Sequence, residues 1–324
     1  MREFVPPSTT DVLNCNDEQS KKIENSEEER CRMEKSKQFI DEVSSLRCDL
    51  HTHSVFSDGS YTPSELIAEA KRLGLIIALT DHNTVDGLPE FMDEAQKQGV
   101  TAVAGVEFST EYNGIELHLL GLFVLPEHHA KIECMVKEQH VLKEISNMEL
   151  VERLNQAGYM IDYAKVKGRN PNGNANRAHV AAELLEHGYV ASIGEAFATI
   201  LSDNGGFYVP PSRLQLLDVI KDLRSMGVLP VLAHPLQELT ESELRELLPN
   251  AIEAGLVGIE TMHSSYTPEV IQLAEDLALE FNLLSSGGSD FHGLVKPDIS
   301  LGAGKGWLCI PVSKYLDLQA MREI

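Results

Sequence analysis

The chain has 324 residues, 43% of them hydrophobic and 24% charged, with a formal net charge of -23 at pH 7. That is the composition of a soluble globular protein, long enough for one large α/β barrel with an insertion or for two medium domains. Disordered and fibrous classes are excluded, and so acidic a chain argues against a general face for long nucleic acid, which needs clustered Lys and Arg.

The opening residues, MREFVPPSTTDVLNC, lack the apolar core of a signal peptide, and no run approaches the roughly 18 apolar residues of a membrane span. Cys15, Cys31, Cys48, Cys134 and Cys309 are scattered without a paired spacing, which fits a reducing compartment. The expectation is a cytoplasmic protein with no membrane partner. Residues 1–46 are polar and mixed in charge, and read as a flexible extension. From Arg47 a short strand leads into CDLHTHS. A helix follows, marked by the capping box Thr62 and Glu65, by Pro63 at its first position, and by Gly74 at its end. Its apolar stripe is Leu66, Ile67 and Ala70.

LIIALTDHN, VTAVAGVEFS and IELHLLGLFV read as buried strands, with the helical PEFMDEAQKQG between the first two. This alternation is the pattern of a parallel α/β fold. It breaks after Pro126. Residues 127–208 are helical by pattern and read as an insertion that ends at NGGFYVPPS. Strands VLPVLAHP, LVGIETMH and LLSSGGSDFHG then alternate with helices again. The expected organisation is a catalytic barrel of residues 47–126 and 209–324, with residues 127–208 as a helical insertion domain.

Nearly every expected strand carries metal-ligand chemistry. His51 and His53 follow the first, with Asp58 in the next loop; Asp81 and His82 end the second. Glu107 ends the third, His118 lies within the fourth, His234 ends the next, and Asp290 and His292 close the last. Residues i and i+2 of a strand share a face, so His51 and His53 can reach one ion, as can Asp290 and His292. Six imidazoles (His51, His53, His82, His118, His234, His292) and three carboxylates (Asp58, Glu107, Asp290) are too many for one ion of four to six ligands. Two or three divalent ions are implied, and they make an anion trap inside an acidic protein. His128, His129 and His140 lie in polar helical surroundings and read as solvated, His187 reads as a helix C-terminal residue, and His263 remains open.

Together, DLHTHSVFSDGSYTP, LTDHN, GVEFS, ELHLLGL, VLAHP and GGSDFHG resemble the PHP (polymerase and histidinol phosphatase) family over residues 47–311. GNANRAHVA and the helical segment resemble its stand-alone phosphoesterase branch, which includes nucleoside 3',5'-bisphosphate phosphatases and 5'-to-3' exoribonucleases. The resemblance implies a distorted (β/α)7-type barrel with a trinuclear site of manganese, iron or zinc. One ion is expected on His51, His53, Glu107 and Asp290, a second on Glu107, His118 and His234, and a third on Asp58, His82 and His292. The branch commonly carries Arg-Pro-His where this chain has Arg177-Ala178-His179, which puts the local backbone in doubt.

The expected reaction is hydrolysis of a nucleotide phosphomonoester by in-line attack of a metal-bound hydroxide. Glu107, Asp290 and His179 are the expected catalytic residues. Arg177 and His179 are expected to bind the substrate, the guanidinium fork gripping phosphate bidentately. Asp81 and Glu260 are expected to orient imidazoles. Candidate substrates are a nucleoside 3',5'-bisphosphate, AMP or the end of a short RNA or DNA. The alternative is another small phosphomonoester, such as histidinol phosphate or a sugar phosphate. Neither a GxSxG elbow nor a Cys beside a predicted base offers another nucleophile. Amide or lactone hydrolysis fits less well, because no strand end carries the Lys that such sites use. Phe207 and Tyr208 are candidates for stacking on a base.

Overall fold

The computed structural model describes residues 46–169, 175–202, 206–209 and 211–322. The extension expected over residues 1–46 lies, apart from Leu46, outside them. The strands are β1 (Arg47–Asp49), β2 (Leu75–Leu79), β3 (Ala102–Tyr112), β4 (Ile115–Leu122), β5 (Leu214–Gln215), β6 (Leu229–Leu232), β7 (Gly258–His263) and β8 (Leu284–Gly288). They form one sheet in the order β1-β2-β3-β4-β6-β7-β8, with β5 paired to β3. The sheet curls until its two edges meet. Leu50 N–H donates to Gly287 O, Asp290 N–H to His51 O and His53 N–H to Phe291 O, at 3.1, 3.0 and 2.9 Å. Gly288 permits this close approach, because a Cβ there would collide with the His51 backbone.

Helix α1 (Pro63–Leu73) forms as its sequence signals require. Thr62 and Glu65 close a capping box, Gly74 ends the helix in the left-handed conformation, and Leu66, Ile67 and Ala70 are buried against the sheet. Helices α2 (Leu88–Gln98), α7 (Leu216–Ser225), α8 (Glu241–Ala254) and α9 (Pro268–Glu280) cover the outside in the same way, and α10 (Ser313–Arg322) follows the last strand.

The wholly parallel sheet expected from the pattern is not what forms. β4 runs antiparallel to both β3 and β6. The cause is a two-residue turn at Asn113-Gly114, both with positive φ (52° and 81°), which folds Tyr112 against Ile115 as a hairpin. Asn-Gly is the strongest short hairpin signal in a sequence. The reversal sets Ser109 near the end of β3 opposite His118 near the start of β4. A ligand-type residue early in an antiparallel strand therefore reaches the mouth where the parallel strands end.

Between β4 and β5 lie α3 (His129–Gln156), α4 (Tyr163–Gly168), α5 (Arg177–Glu186) and α6 (Ile193–Ala198). The first half of α3 buries Ile132 and Val136 in the barrel core. Its second half places Leu150, Val151 and Leu154 in a separate core with Val166, Val180, Leu184 and Leu201. α3 thus ties these helices to the mouth of the barrel. No helix among the described residues is long and apolar enough to cross a membrane.

Candidate metal centre

Glu107 is the hub. It sits fully buried on β3, and five imidazoles meet its carboxylate. His51 Nε2, His53 Nε2 and His82 Nδ1 lie 3.2, 3.2 and 2.9 Å from Oε2, while His118 Nδ1 and His234 Nε2 lie 2.8 and 3.2 Å from Oε1. His51 and His53 follow β1, His82 follows β2, His118 lies on β4 and His234 follows β6, so closure of the barrel is what assembles them.

Outer contacts decide which nitrogen each ring presents. Both oxygens of Glu260, 3.1 and 3.2 Å away, accept from His51 Nδ1–H, so Nε2 faces inward. His53 Nδ1 faces Ser57 Oγ at 3.4 Å, and Ser57 in turn donates to Asp81 at 2.5 Å. His292 Nδ1–H donates to the Asp290 carbonyl at 2.9 Å and turns Nε2 toward Asp58 Oδ1 at 3.1 Å. Asp290, at positive φ (56°), points Oδ1 to 3.3 Å from His53 Nε2 and 3.7 Å from His51 Nε2. Its Oδ2 accepts from Lys296 Nζ at 2.6 Å.

Lone pairs and carboxylate oxygens converging at these distances repel one another unless something positive lies among them. Titration reflects this. Burial pulls the His53 imidazole down, but Asp290 and Glu107 hold it up at about 9. Burial likewise opposes charge on His118, yet Glu107 and Glu116 raise it to about 10. His82 goes the other way: burial prevails over the Glu107 and Asp58 carboxylates, and its pKa falls to about 4.

The residues fit a metal cluster. Asp58 Oδ1, His82 Nδ1, Glu107 Oε2 and His118 Nδ1 are buried without a hydrogen-bond partner among the described residues, and each belongs to a group able to hold an ion. Those groups are His53/Asp58/His82/His292, His51/His53/Glu107, His82/Glu107/His118 and His51/His234/Glu260. The nine residues expected from the sequence all come together here. His82 stands between two of the sets expected for separate ions, near both Asp58 and Glu107.

The other expected residues divide. Arg177 lines the pocket in front of the cluster, with its guanidinium carbon 4.3 Å from the centre of the Tyr208 ring. His179 opens α5 as a cap: its Nδ1 accepts from Asn176 N–H at 3.1 Å, which leaves Nε2 outside the cap. Tyr208 also lines the pocket, whereas Phe207 packs against the helical core. Glu260 orients an imidazole as expected. Asp81 does so only through Ser57, and it also holds Ser54 N–H and Oγ–H at 2.7 and 2.5 Å.

Two further residues differ from the sequence reading. His140 is not solvated: it is half-buried, lines the pocket, and donates from Nε2 to the Asn83 carbonyl at 2.7 Å. Lys296 reaches Asp290 from the turn after β8. Its place four residues beyond the SDFH motif did not mark it, because a turn lysine carries no signal of direction.

Comparison with known proteins agrees with this site. The PHP domain profile matches residues 49–205. A 5'-3' exoribonuclease of Haemophilus influenzae is 32% identical over 75% of this chain and 89% of its own length. The chain belongs to the PHP family. Within that family it is 31% identical, over 76% of the chain and 94% of the relative, to a phosphoribosyl 1,2-cyclic phosphate 1,2-diphosphodiesterase of Eggerthella lenta. It is 29% identical, over 85% and 98%, to a 3',5'-nucleoside bisphosphate phosphatase of Chromobacterium violaceum. The crystal structure of a candidate metal-dependent phosphoesterase from Bifidobacterium adolescentis superposes with a TM-score of 0.77 at 26% identity, covering 86% of this chain and 96% of that one. The nearly closed, barrel-shaped sheet of seven strands along the path β1-β2-β3-β4-β6-β7-β8 carries this site.

Proposed function

We propose that this protein is a metal-dependent phosphoesterase that hydrolyses a phosphomonoester of a nucleotide, such as a nucleoside 3',5'-bisphosphate, AMP or a short oligonucleotide end. The observation that carries the reading is the Glu107 carboxylate, buried among five imidazoles with one oxygen lacking a hydrogen bond among the described residues. That donor set suits two or three divalent ions of manganese, iron or zinc. His51, His53, Glu107 and Asp290 are assigned to one ion, Glu107, His118 and His234 to a second, and Asp58, His82 and His292 to a third. Bound there, such ions activate water near neutral pH and offset charge on phosphate oxygens.

The chain's own groups do the rest. Glu260, Ser57 and the Asp290 carbonyl fix which nitrogen His51, His53 and His292 present. Arg177, stacked on Tyr208, is assigned to a phosphate of the substrate, and His179, whose Nε2 is outside its helix cap, to orienting a phosphate or protonating the leaving group. The relatives named as a 5'-3' exoribonuclease and a nucleoside bisphosphate phosphatase support a nucleotide over histidinol phosphate, while the phosphoribosyl cyclic phosphate diphosphodiesterase keeps a sugar phosphate as the alternative. Residues 127–208, which supply Arg177 and Tyr208, act in this reading as the substrate-facing insertion.

The test is to purify the protein without chelator and measure its metal content. Phosphate release is then assayed from adenosine 3',5'-bisphosphate, AMP, a 5'-phosphorylated oligonucleotide and histidinol phosphate. Two to three metal ions per chain with fast release from a nucleotide support the reading. Release from histidinol phosphate alone would move the substrate to the alternative, and absence of both metal and manganese-stimulated activity would overturn the proposal.

A further inference from the structure

Asp290 divides its carboxylate in a way that Glu107 does not. Both oxygens of Glu107 meet imidazoles, whereas Asp290 turns only Oδ1 to the inner rings, 3.3 Å from His53 Nε2 and 3.7 Å from His51 Nε2. Oδ2 faces the other way and accepts from Lys296 Nζ at 2.6 Å. His263 stands on that same side. Its Nδ1 accepts from Ser265 N–H at 3.2 Å, so the neutral ring carries its hydrogen on Nε2, which lies 3.6 Å from Oδ2. That tautomer is the reverse of His51, where Nδ1–H donates to Glu260. His263 therefore presents a hydrogen to Asp290 and no lone pair to an ion.

The contact between Lys296 and Asp290 is built from both ends. Asp290 has a positive φ of 56°, which a non-glycine residue keeps only where its surroundings enforce it, and its N–H donates to His51 O at 3.0 Å. Lys296 follows the 3-10 turn Gly293–Val295. That turn is pinned to the loop before α1: Leu294 N–H donates to Ser60 Oγ at 2.7 Å, and Ser60 N–H donates to His292 O at 3.1 Å. Gly293, at φ 64°, lies so close to Ser60 and Tyr61 that a Cβ there would collide with them. The Lys296 side chain is 40% exposed, so burial does not force its ammonium inward. An ammonium beside two or three divalent ions is also repelled by them. Its position is accounted for by its effect on Oδ2. A carboxylate with one oxygen held in a charged hydrogen bond has a single oxygen to offer a metal.

We propose that Lys296 is a positioning residue that confines Asp290 to one metal bond, through Oδ1, and so keeps a coordination place open for the substrate. This rests on the metal-centre reading above and adds a residue that acts on it from outside the donor set. Catalytic ions keep an open place, whereas the shells of structural ions are closed. With Lys296 removed, Oδ2 can take that place. A metal gripped by both oxygens is held as tightly or more tightly, since the repelling charge is gone as well, but it has less room for substrate. Mere support of the turn would act differently, lowering metal affinity and activity together.

The experiment compares wild type, Lys296→Met and Lys296→Arg in three measurements. These are ion affinity by competition with a chromophoric chelator, visible absorption of the cobalt(II)-loaded protein, and kinetics of phosphate release from adenosine 3',5'-bisphosphate. In Lys296→Met the affinity should hold or rise, and the cobalt absorption should weaken, as it does when coordination number increases. Its kcat should fall about 10- to 100-fold, the usual range for a residue acting through a metal ligand. Lys296→Arg, which keeps a charged donor, should retain the wild-type absorption and most of the kcat. Affinity that falls along with kcat in Lys296→Met would make the lysine an ordinary support, and an unchanged kcat or absorption would make it idle. Either overturns the proposal, as does Lys296→Arg behaving no better than Lys296→Met. If the wild type binds cobalt but releases phosphate from no nucleotide, the nucleotide reading fails, and affinity and absorption still decide the role of Lys296. A wild type that binds no ion overturns both.

Discussion

His51 Nε2 and His53 Nε2 face each other at 3.1 Å, both fully buried, and the same Glu107 oxygen lies 3.2 Å from each. With Nδ1–H of His51 committed to Glu260, the inward nitrogens are electron-rich atoms pressed together around a carboxylate. Only a proton or a cation makes that arrangement favourable, and the surrounding Asp290, Asp58, His82 and His292 point to a cation.

Metal removal should therefore destabilise the fold. Ions at 1,000 times their Kd add about 4 kcal/mol to a protein that binds them only when folded. At about 2.1 cal/mol/K of unfolding entropy per residue, a chain of 324 residues should then fall in Tm by about 6 °C on chelation. Differential scanning calorimetry before chelation, after it, and after manganese or zinc is restored reads the effect. An unchanged Tm in all three states would deny the cluster any structural role.

Glu107→Gln keeps the shape of the hub and removes its charge. The variant should fold, bind at least one fewer ion per chain, and lose activity by well over the ~100-fold that outer-shell changes cost. Metal content by elemental analysis, read beside phosphate release, checks both halves. Normal stoichiometry and turnover would contradict the assignment of Glu107.

Glu260→Gln tests the layer beneath. Glu260 accepts from His51 Nδ1–H and from His234 N–H, the latter at 2.8 Å, and a single amide oxygen serves both poorly. Metal affinity, measured by competition with a chromophoric chelator, should fall about 10- to 100-fold. The far-ultraviolet circular dichroism should match the wild type.

Gly114→Ala addresses the turn that delivers His118. At φ 81° no atom lies within 4 Å of a Cβ placed there, so the cost is conformational and not steric crowding. A loss of about 1–2 kcal/mol in urea unfolding is expected. Because β4 stays paired on both sides, the metal content should be unchanged.

Much of this protein is legible in its sequence. The local signals were sufficient wherever structure depends on neighbours along the chain. The capping box of Thr62 and Glu65, the Gly74 stop and the alternation of His51 with His53 all appear as read. Asn113-Gly114 is a hairpin signal in the sequence, and it overrides the strand-helix alternation that predicts a parallel neighbour at His118. His140 shows the limit of reading polarity from neighbours. Its helix is polar along the sequence, but one face lies over Asn83, 57 residues away.

The sequence by itself determined the inventory: which residues can bind metal, that strand ends would carry them, and that they are too many for one ion. Those properties follow from side-chain chemistry and strand periodicity, both local. Only the tertiary structure decided how they group. Closure of β8 on β1 brings Asp290 to His51 and His53, and reversal of β4 brings His118 to Glu107. Which nitrogen each imidazole presents depends on Glu260, Ser57 and the Asp290 carbonyl. Distance and direction between remote residues are products of packing, and no pattern of spacing along a chain encodes them.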